Sequence, residues 1–125
     1  MGLDACGYIA TYDPESGEKE TVSEFNWRKH ARLQQFMNNL YLEQNPESNW
    51  EEFNCKPLEL TREHIVRLQE LVENSNLPFC PGGYFWGHQF QEEAQNEYEI
   101  QDKQFCEIAL DMLDKEHSVF YECWW

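Results

Sequence analysis

The sequence predicts an α+β fold in which a small antiparallel sheet, made of an N-terminal hairpin and a C-terminal strand, packs against about three helices. Three observations lead to this prediction. β-branched and aromatic residues are concentrated near both chain ends, helical periodicity dominates the middle, and Pro and Gly separate these segments. A length of 125 residues suits one core, so we expect a single domain over residues 1–125.

The two chain ends supply the predicted strands. Residues 6–12 and 20–25 carry aromatic and β-branched side chains, and the segment 13–18 between them contains one proline and one glycine, which favour a turn. Residues 119–125 are also aromatic and typical of a strand. Pairing of this last segment with the hairpin would bring the chain end into the core.

Three segments have the periodicity of amphipathic helices. Asn26 is predicted to cap a helix that runs to about Gln44, Thr61 to cap a second helix of about 12 residues, and a third is predicted from about Asn96 to Lys115. Residues 45–60 and 77–88 are predicted to be loops, with a single helical turn at 50–53. The apolar stripes of the helices comprise Leu33, Phe36, Met37, Leu40, Tyr41, Ile65, Leu68, Val72, Phe105, Ile108, Ala109 and Met112.

Composition excludes several classes of protein. The chain has 24 Asp and Glu against 9 Lys and Arg, and a net charge of −15 opposes direct binding to nucleic acid or to an anionic membrane. With 8 Phe, 6 Tyr and 5 Trp it is too aromatic for a disordered acidic tail. It has neither a membrane-spanning apolar run nor the features of a signal peptide, so a cytoplasmic location is expected.

Cysteines and histidines give no sign of a metal site or a catalytic nucleophile. The five cysteines are widely separated without a Cys-x-x-Cys pair, which predicts reduced and mostly buried thiols. The four histidines are dispersed, so neither a metal nor another cofactor is expected. No Gly-x-Ser-x-Gly elbow and no papain-like cysteine context is present, and the protein is predicted to be non-catalytic.

A cluster of cations in this acidic chain is the main candidate binding site. Arg28, Lys29 and Arg32 lie within five residues, beside Trp27 and His30, where the first helix is predicted to begin. Arg offers a bidentate fork and Lys a point charge, a helix N-terminus adds free N–H groups, and an indole can stack on a base. The cluster therefore predicts a phosphate or nucleotide site. The alternative is that both arginines pair with surface carboxylates and Trp27 belongs to the core.

An aromatic loop is the second candidate. Two glycines at 82–83 precede Tyr84, Phe85 and Trp86, and His88 follows closely. Glycines allow a ligand to approach the backbone closely, and the aromatic rings could supply a stacking platform. The alternative is a turn followed by a strand of the core.

Several short segments, in the same order along nearly the whole chain, resemble a family of small tailed-phage proteins. They are the opening Met1–Asp4, the hairpin leading into Trp27–Lys29, Leu77–Pro78 followed by Gly82–Phe85, the acidic and aromatic stretch before the last helix, and the aromatic C-terminal strand. The chain departs from the family pattern at Cys6 and at the ending Glu122–Trp125, where Ser-Ser-Trp is usual.

The resemblance implies a phage accessory protein of unsettled function that acts in the cytoplasm of an infected bacterium. Members are often labelled phosphoglycerate kinase, but 125 residues leave no room for a two-domain kinase. The chain also lacks the Gly-x-x-x-x-Gly-Lys-Ser/Thr loop that cradles phosphates. We therefore set that label aside.

Two functions of different class follow. The first is a non-catalytic module that binds and sequesters a small phosphorylated or nucleotide ligand, such as a signal of host defence. The second is an acidic protein–protein inhibitor, or nucleic-acid mimic, directed at a basic host protein such as a nuclease or CRISPR effector. A minor structural or regulatory phage component is a third. The aromatic residues Tyr121, Trp124 and Trp125 also suggest a homodimer interface.

Overall fold

A computed structural model describes residues 3–12, 15, 17, 19–81 and 88–125 of the chain. Within these residues the fold is α+β, as the sequence predicts. In chain order the elements are β1 (Asp4–Tyr12), β2 (Lys19–Arg28), α1 (Ala31–Gln44), β3 (Leu58–Leu60), α2 (Arg62–Glu73), α3 (Gln91–Glu97), α4 (Glu99–Asp114) and β4 (Ser118–Trp124). A 3-10 turn at Trp50–Phe53 fulfils the prediction of a single helical turn there.

The described strands form one antiparallel sheet in the order β2-β1-β4-β3. The predicted hairpin and the predicted pairing of the C-terminal strand are both confirmed, because β1 lies between β2 and β4. The short β3 was predicted to be loop. Its three residues pair with Val119–Tyr121 of β4 and bury Leu58 and Leu60, but three residues are too few to show strand periodicity in a sequence.

The core lies between one face of the sheet and the helices. Ile9, Val119 and Tyr121 from this inner face join the apolar stripes of the helices in one buried cluster. The predicted stripes are confirmed, with Ile108 and Met112 only half-buried at the edge. Because Tyr121 is 1% exposed, it does not belong to an exposed interface as the homodimer hypothesis assumed.

The second helix begins where the sequence predicts. The hydroxyl of Thr61 accepts a hydrogen bond from the backbone N–H of His64 at 3.3 Å. In return the backbone N–H of Thr61 donates to Nδ1 of His64 at 3.1 Å. This is a capping box in which an imidazole takes the usual place of Glu or Gln, so two N–H groups at the helix start are satisfied.

The start of α1 differs from the prediction. Asn26 is not a helix cap, because β2 continues through Arg28, which pairs with Asp4. Phe25 and Trp27 are two residues apart and both lie on the inner face of the sheet. Extending β2 is favourable because it brings these two aromatic rings to the core. The chain then turns at Lys29 (φ 53°), and α1 begins at Ala31 with His30 as its N-cap.

The third predicted helix is two helices. α3 starts at Gln91, five residues before the predicted start at Asn96, and Tyr98 separates it from α4. α3 is mostly polar, so its sequence shows no apolar stripe. It is anchored by the buried Gln91 side chain, which bonds both the N–H and the C=O of Cys80, at 2.8 and 3.1 Å. Over the part of the chain that the structure describes, no helix is long and apolar enough to cross a membrane.

Gly7 in β1 lies where two aromatic rings meet the sheet. A Cβ atom there would lie 2.7 Å from Cε1 of Phe105 and 2.9 Å from Cζ3 of Trp27, and these two rings pack edge to face. We expect Gly7→Ala to lower the free energy of unfolding by about 2 kcal/mol, because both rings must shift within a packed core. Urea unfolding measures this, with Thr21→Ala at an exposed strand position as the control. An equal loss in both variants would contradict the prediction.

Candidate functional site

The predicted basic cluster is divided between two environments. Arg28 and Lys29 are exposed, whereas Trp27 and His30 are 3% and 1% exposed. A ring buried in this way offers no face to a ligand at the surface, so the structure places Trp27 and His30 in the interior and not at the surface site that the sequence predicts. For Trp27 the alternative, a place in the core, is the observed one.

Trp27 and His30 instead belong to a buried polar cluster, which we call the Asp102 cluster and which consists of Trp27, His30, Tyr98 and Asp102. The Asp102 carboxylate accepts one hydrogen bond from Nε1 of Trp27 at 2.8 Å and another from Nε2 of His30 at 2.7 Å. Tyr98 stacks on the His30 ring, with 5.2 Å between ring centroids. Its hydroxyl also accepts a bond from the backbone N–H of Arg28 at 3.1 Å.

The Asp102 cluster holds elements of the fold together. Nε2 of His30 is the ring nitrogen that bonds the Asp102 carboxylate, and Nδ1 is the remaining one. Nδ1 is buried and has no hydrogen-bond partner in the described part of the chain, so no hydroxyl or thiol is poised beside it there. The cluster therefore joins β2, the start of α1 and α4 in one network of contacts.

Sequence reasoning missed Asp102 although a signal was present. Asp102 precedes Phe105 and Ala109 by three and seven residues, which places a carboxylate on the apolar stripe of α4. An acidic side chain at a core position needs hydrogen-bond donors, because burying a charge without partners is costly. The pattern indicates a buried carboxylate, but which donors reach it depends on the tertiary fold.

The other cationic side chains have different partners. Arg28 donates from Nη1 to both carboxylate oxygens of Asp4, at 3.0 and 3.1 Å, and is 54% exposed. This is the carboxylate pair that the alternative interpretation expected. Arg32 instead donates from Nη1 to the backbone carbonyl of Leu77 at 2.7 Å, and its buried Nε has no partner among the described residues.

The aromatic loop falls mostly outside the described residues. Tyr84, Phe85 and Trp86 lie there, and His88 begins a 3-10 turn but its side chain is not described. The segment leading into the loop is well anchored, since the N–H of Leu77 donates to the side-chain oxygen of Gln95 at 3.1 Å. Together with the bond from Arg32 to the Leu77 carbonyl, this attaches the segment to both α1 and α3.

The cysteines are free thiols, as predicted. Cys6, Cys80, Cys106 and Cys123 are buried and Cys55 is exposed. Burial raises the pKa of Cys6, Cys106 and Cys123 to about 12, so these thiols are protonated and unreactive at neutral pH. Over the described ranges, no three His, Cys, Asp or Glu side chains are grouped so that they could hold a metal ion.

No protein-family model, curated protein or solved structure matches this chain. The class of the molecule is therefore defined by its own fold and site. It is an acidic α+β domain with a buried carboxylate at the junction of sheet and helices and with cations exposed at the start of α1.

Removal of the Asp102 carboxylate tests whether the cluster holds the fold together. We expect Asp102→Ala to lower the free energy of unfolding by about 3 kcal/mol, because two buried donors lose their acceptor at roughly 1–3 kcal/mol each. Glu107→Ala on the exposed side of α4 is the matched control and should change stability by less than about 0.5 kcal/mol. Urea unfolding of both variants measures the difference, and similar values would refute the structural role.

The buried thiols predict a loss of stability at alkaline pH. The unfolded chain releases these protons near the ordinary thiol pKa of 9.0, whereas the folded protein keeps them to about 12. The folded state therefore binds more protons in this window, and the free energy of unfolding falls as the pH rises. Between neutral pH and about pH 10, the free energy of unfolding should fall by about 1.4 kcal/mol less in Cys106→Ala than in the wild type. Thr21→Ala, which removes no ionisable group, should leave the fall unchanged.

Proposed function

We propose that this protein is a non-catalytic phage accessory protein that binds and sequesters a small phosphorylated or nucleotide ligand in the host cytoplasm. The binding site would lie at the start of α1, beside Arg28, Lys29 and Arg32. One observation carries the proposal: the first turn of α1 holds no acidic residue and lacks a side-chain cap, and exposed cations lie directly before it.

The first turn of α1 differs from those of the other helices in the described residues. α2 begins with Glu63, α3 with two glutamates and α4 with Glu99 and Asp102, so acidic side chains offset the positive end of each helix dipole. At α1 the N-cap His30 makes no side-chain capping bond. Among the described residues, no capping side chain and no first-turn acid offsets the N–H groups and the positive dipole end of α1, which supports a phosphate site there.

The anchoring of the Leu77 segment supports a contribution from the aromatic loop. Because Arg32 binds the Leu77 carbonyl, the chain that leads into residues 82–88 starts close to the first turn of α1. Tyr84, Phe85 and Trp86 are then candidates for stacking on a nucleobase, and His88 for a polar contact with the same ligand. In this proposal the cations recognise phosphate and the loop recognises the base.

The proposed function requires no turnover. Nδ1 of His30 is buried without a nucleophile beside it in the described residues, so the His30 and Asp102 pair does not supply an activated hydroxyl or thiol. Sequestration requires only binding, and a phage protein that removes a host-defence signal would need no catalytic group.

The second candidate is an acidic protein that inhibits a basic host protein, such as a nuclease or CRISPR effector, by occupying its nucleic-acid-binding face. The net charge of −15 favours it through electrostatic steering of a basic partner. The two candidates depend on opposite charges of the same molecule, so charge-neutralising substitutions separate them.

Thermal shift against mono-, di- and cyclic nucleotides tests the first candidate, after native mass spectrometry of the purified protein for a co-purifying ligand. A ligand at about 100 times its Kd should stabilise the fold by about 2.7 kcal/mol and raise Tm by roughly 10 °C. This rise should disappear in Arg28→Gln combined with Lys29→Gln, since both exposed cations are then neutral.

The matched control is Lys103→Gln combined with Lys115→Gln, which removes one cation from α4 and one from its C-cap, both of them in ion pairs with neighbouring carboxylates. It should keep the full thermal shift. If the protein is purified without a ligand and no nucleotide raises Tm, or if both double variants respond alike, sequestration at the start of α1 is refuted. Loss of function on reversal of surface carboxylates, with the Arg28 and Lys29 double variant fully active, would instead support the inhibitor.

A further inference from the structure

The outer face of the sheet, turned away from the helices, carries a groove of its own. The strand register places side chains on this face in rows that cross the sheet. One row is Arg28, Asp4 and Trp124, the next is Asn26, Cys6 and Glu122, and a third is Glu24, Tyr8, Phe120 and Glu59. A groove of about 260 Å³, which we call the sheet-face groove, is lined by Cys6, Tyr8, Thr21, Glu24, Glu122 and Trp124.

The charge of the sheet-face groove is unbalanced. In the first row Arg28 neutralises Asp4, but within the described residues neither Glu24 nor Glu122 pairs with a basic side chain. Glu24 accepts a hydrogen bond from the Cys6 thiol at 3.2 Å, a neutral partner that leaves its charge in place. Two carboxylates thus line the groove without a cation.

The pKa values of Cys6 and Tyr8, which line the groove beside these carboxylates, are raised. Burial, followed by the hydrogen bond to Glu24, raises the pKa of Cys6 to about 12. Burial and then the charge of Glu122 raise the pKa of Tyr8 above its ordinary value. Both groups therefore stay neutral at physiological pH, so the charge of the groove is that of its two carboxylates.

Two aromatic rings, those of Tyr8 and Trp124, also line the groove. Trp124 is 42% exposed, although it is a large apolar side chain at the end of β4. Tyr8 is stacked on Phe120, with 5.3 Å between ring centroids, which holds its ring in a fixed position. Indole and phenol faces attract cations, so carboxylates and rings favour the same kind of occupant.

The size and charge of the groove narrow the choice of occupant. Sites for drug-sized molecules span about 300–1,000 Å³, so 260 Å³ suits one long side chain better than a free ligand of that size. A second copy of this chain is disfavoured, because a two-fold interface at this surface would set the acidic groove of one copy against the same acidic surface of the other. Guanidinium is the cation that combines bidentate bonding to carboxylates with stacking on aromatic rings.

We propose that the sheet-face groove binds an arginine side chain of a basic protein segment, held between Glu24 and Glu122 and stacked on Trp124. This surface differs from the anion site at the start of α1 and does not depend on it. In this proposal two of the many acidic side chains, Glu24 and Glu122, recognise the partner, which is an arginine-bearing protein.

Calorimetric titration with a blocked hexapeptide of alternating glycine and arginine, in about 0.15 M salt, tests this proposal. We expect Glu24→Gln combined with Glu122→Gln to weaken binding at least tenfold, which corresponds to about 1.4 kcal/mol. Trp124→Ala should weaken it several-fold by removing the stacking surface. Glutamine retains an oxygen that can accept the bond from Cys6, so the double variant should fold, and a thermal melt checks this.

Two controls separate docking from general attraction to an acidic protein. Glu63→Gln combined with Glu107→Gln removes the same two charges from exposed helix positions and should change Kd less than twofold. A peptide with citrulline in place of arginine keeps the shape without the charge and should not bind. The proposal is overturned if both double variants weaken binding equally, if citrulline binds as well as arginine, or if the wild type binds neither peptide. None of these results bears on the nucleotide thermal shift, which depends on Arg28 and Lys29.

Discussion

The buried carboxylate of Asp102 is the constraint on which the junction of sheet and helices depends. It accepts from the Trp27 indole on β2 and from the His30 imidazole before α1, while its own backbone belongs to α4. A buried carboxylate without donors would be strongly destabilising, so these elements must meet in one arrangement. Tyr98 adds to this by stacking on His30 and accepting the backbone N–H of Arg28.

The two faces of the sheet differ in composition because successive side chains of a strand point in opposite directions. Inner positions such as Ile9, Val119 and Tyr121 are buried against the helices, while the outer positions between them carry Tyr8, Phe120 and Glu122. Burial constrains only the first set. The outer face is therefore where carboxylates and aromatic rings can accumulate at little cost to the core, as they do in the sheet-face groove.

The sequence was informative wherever a pattern repeats locally. Strand composition identified the hairpin and the C-terminal strand, and helical periodicity identified the buried stripes; Thr61 was recognised as a cap from its own chemistry. The sequence was misleading where tertiary contacts determine the ends of an element or its existence. Asn26 resembles a helix cap, but the burial of Trp27 extends β2 past it, and the polar α3 is held by the contact of Gln91 with Cys80. The same reason explains why the cation cluster was found while its division into buried and exposed members was not.

That division has a physical consequence for the cations before α1. Trp27 and His30 point inward and are fixed by Asp102, whereas Arg28 and Lys29 between them are exposed. The buried pair thus sets the backbone path of the exposed pair without using their charges. A turn whose backbone is held on both sides needs little further ordering of that backbone when its exposed side chains bind an anion.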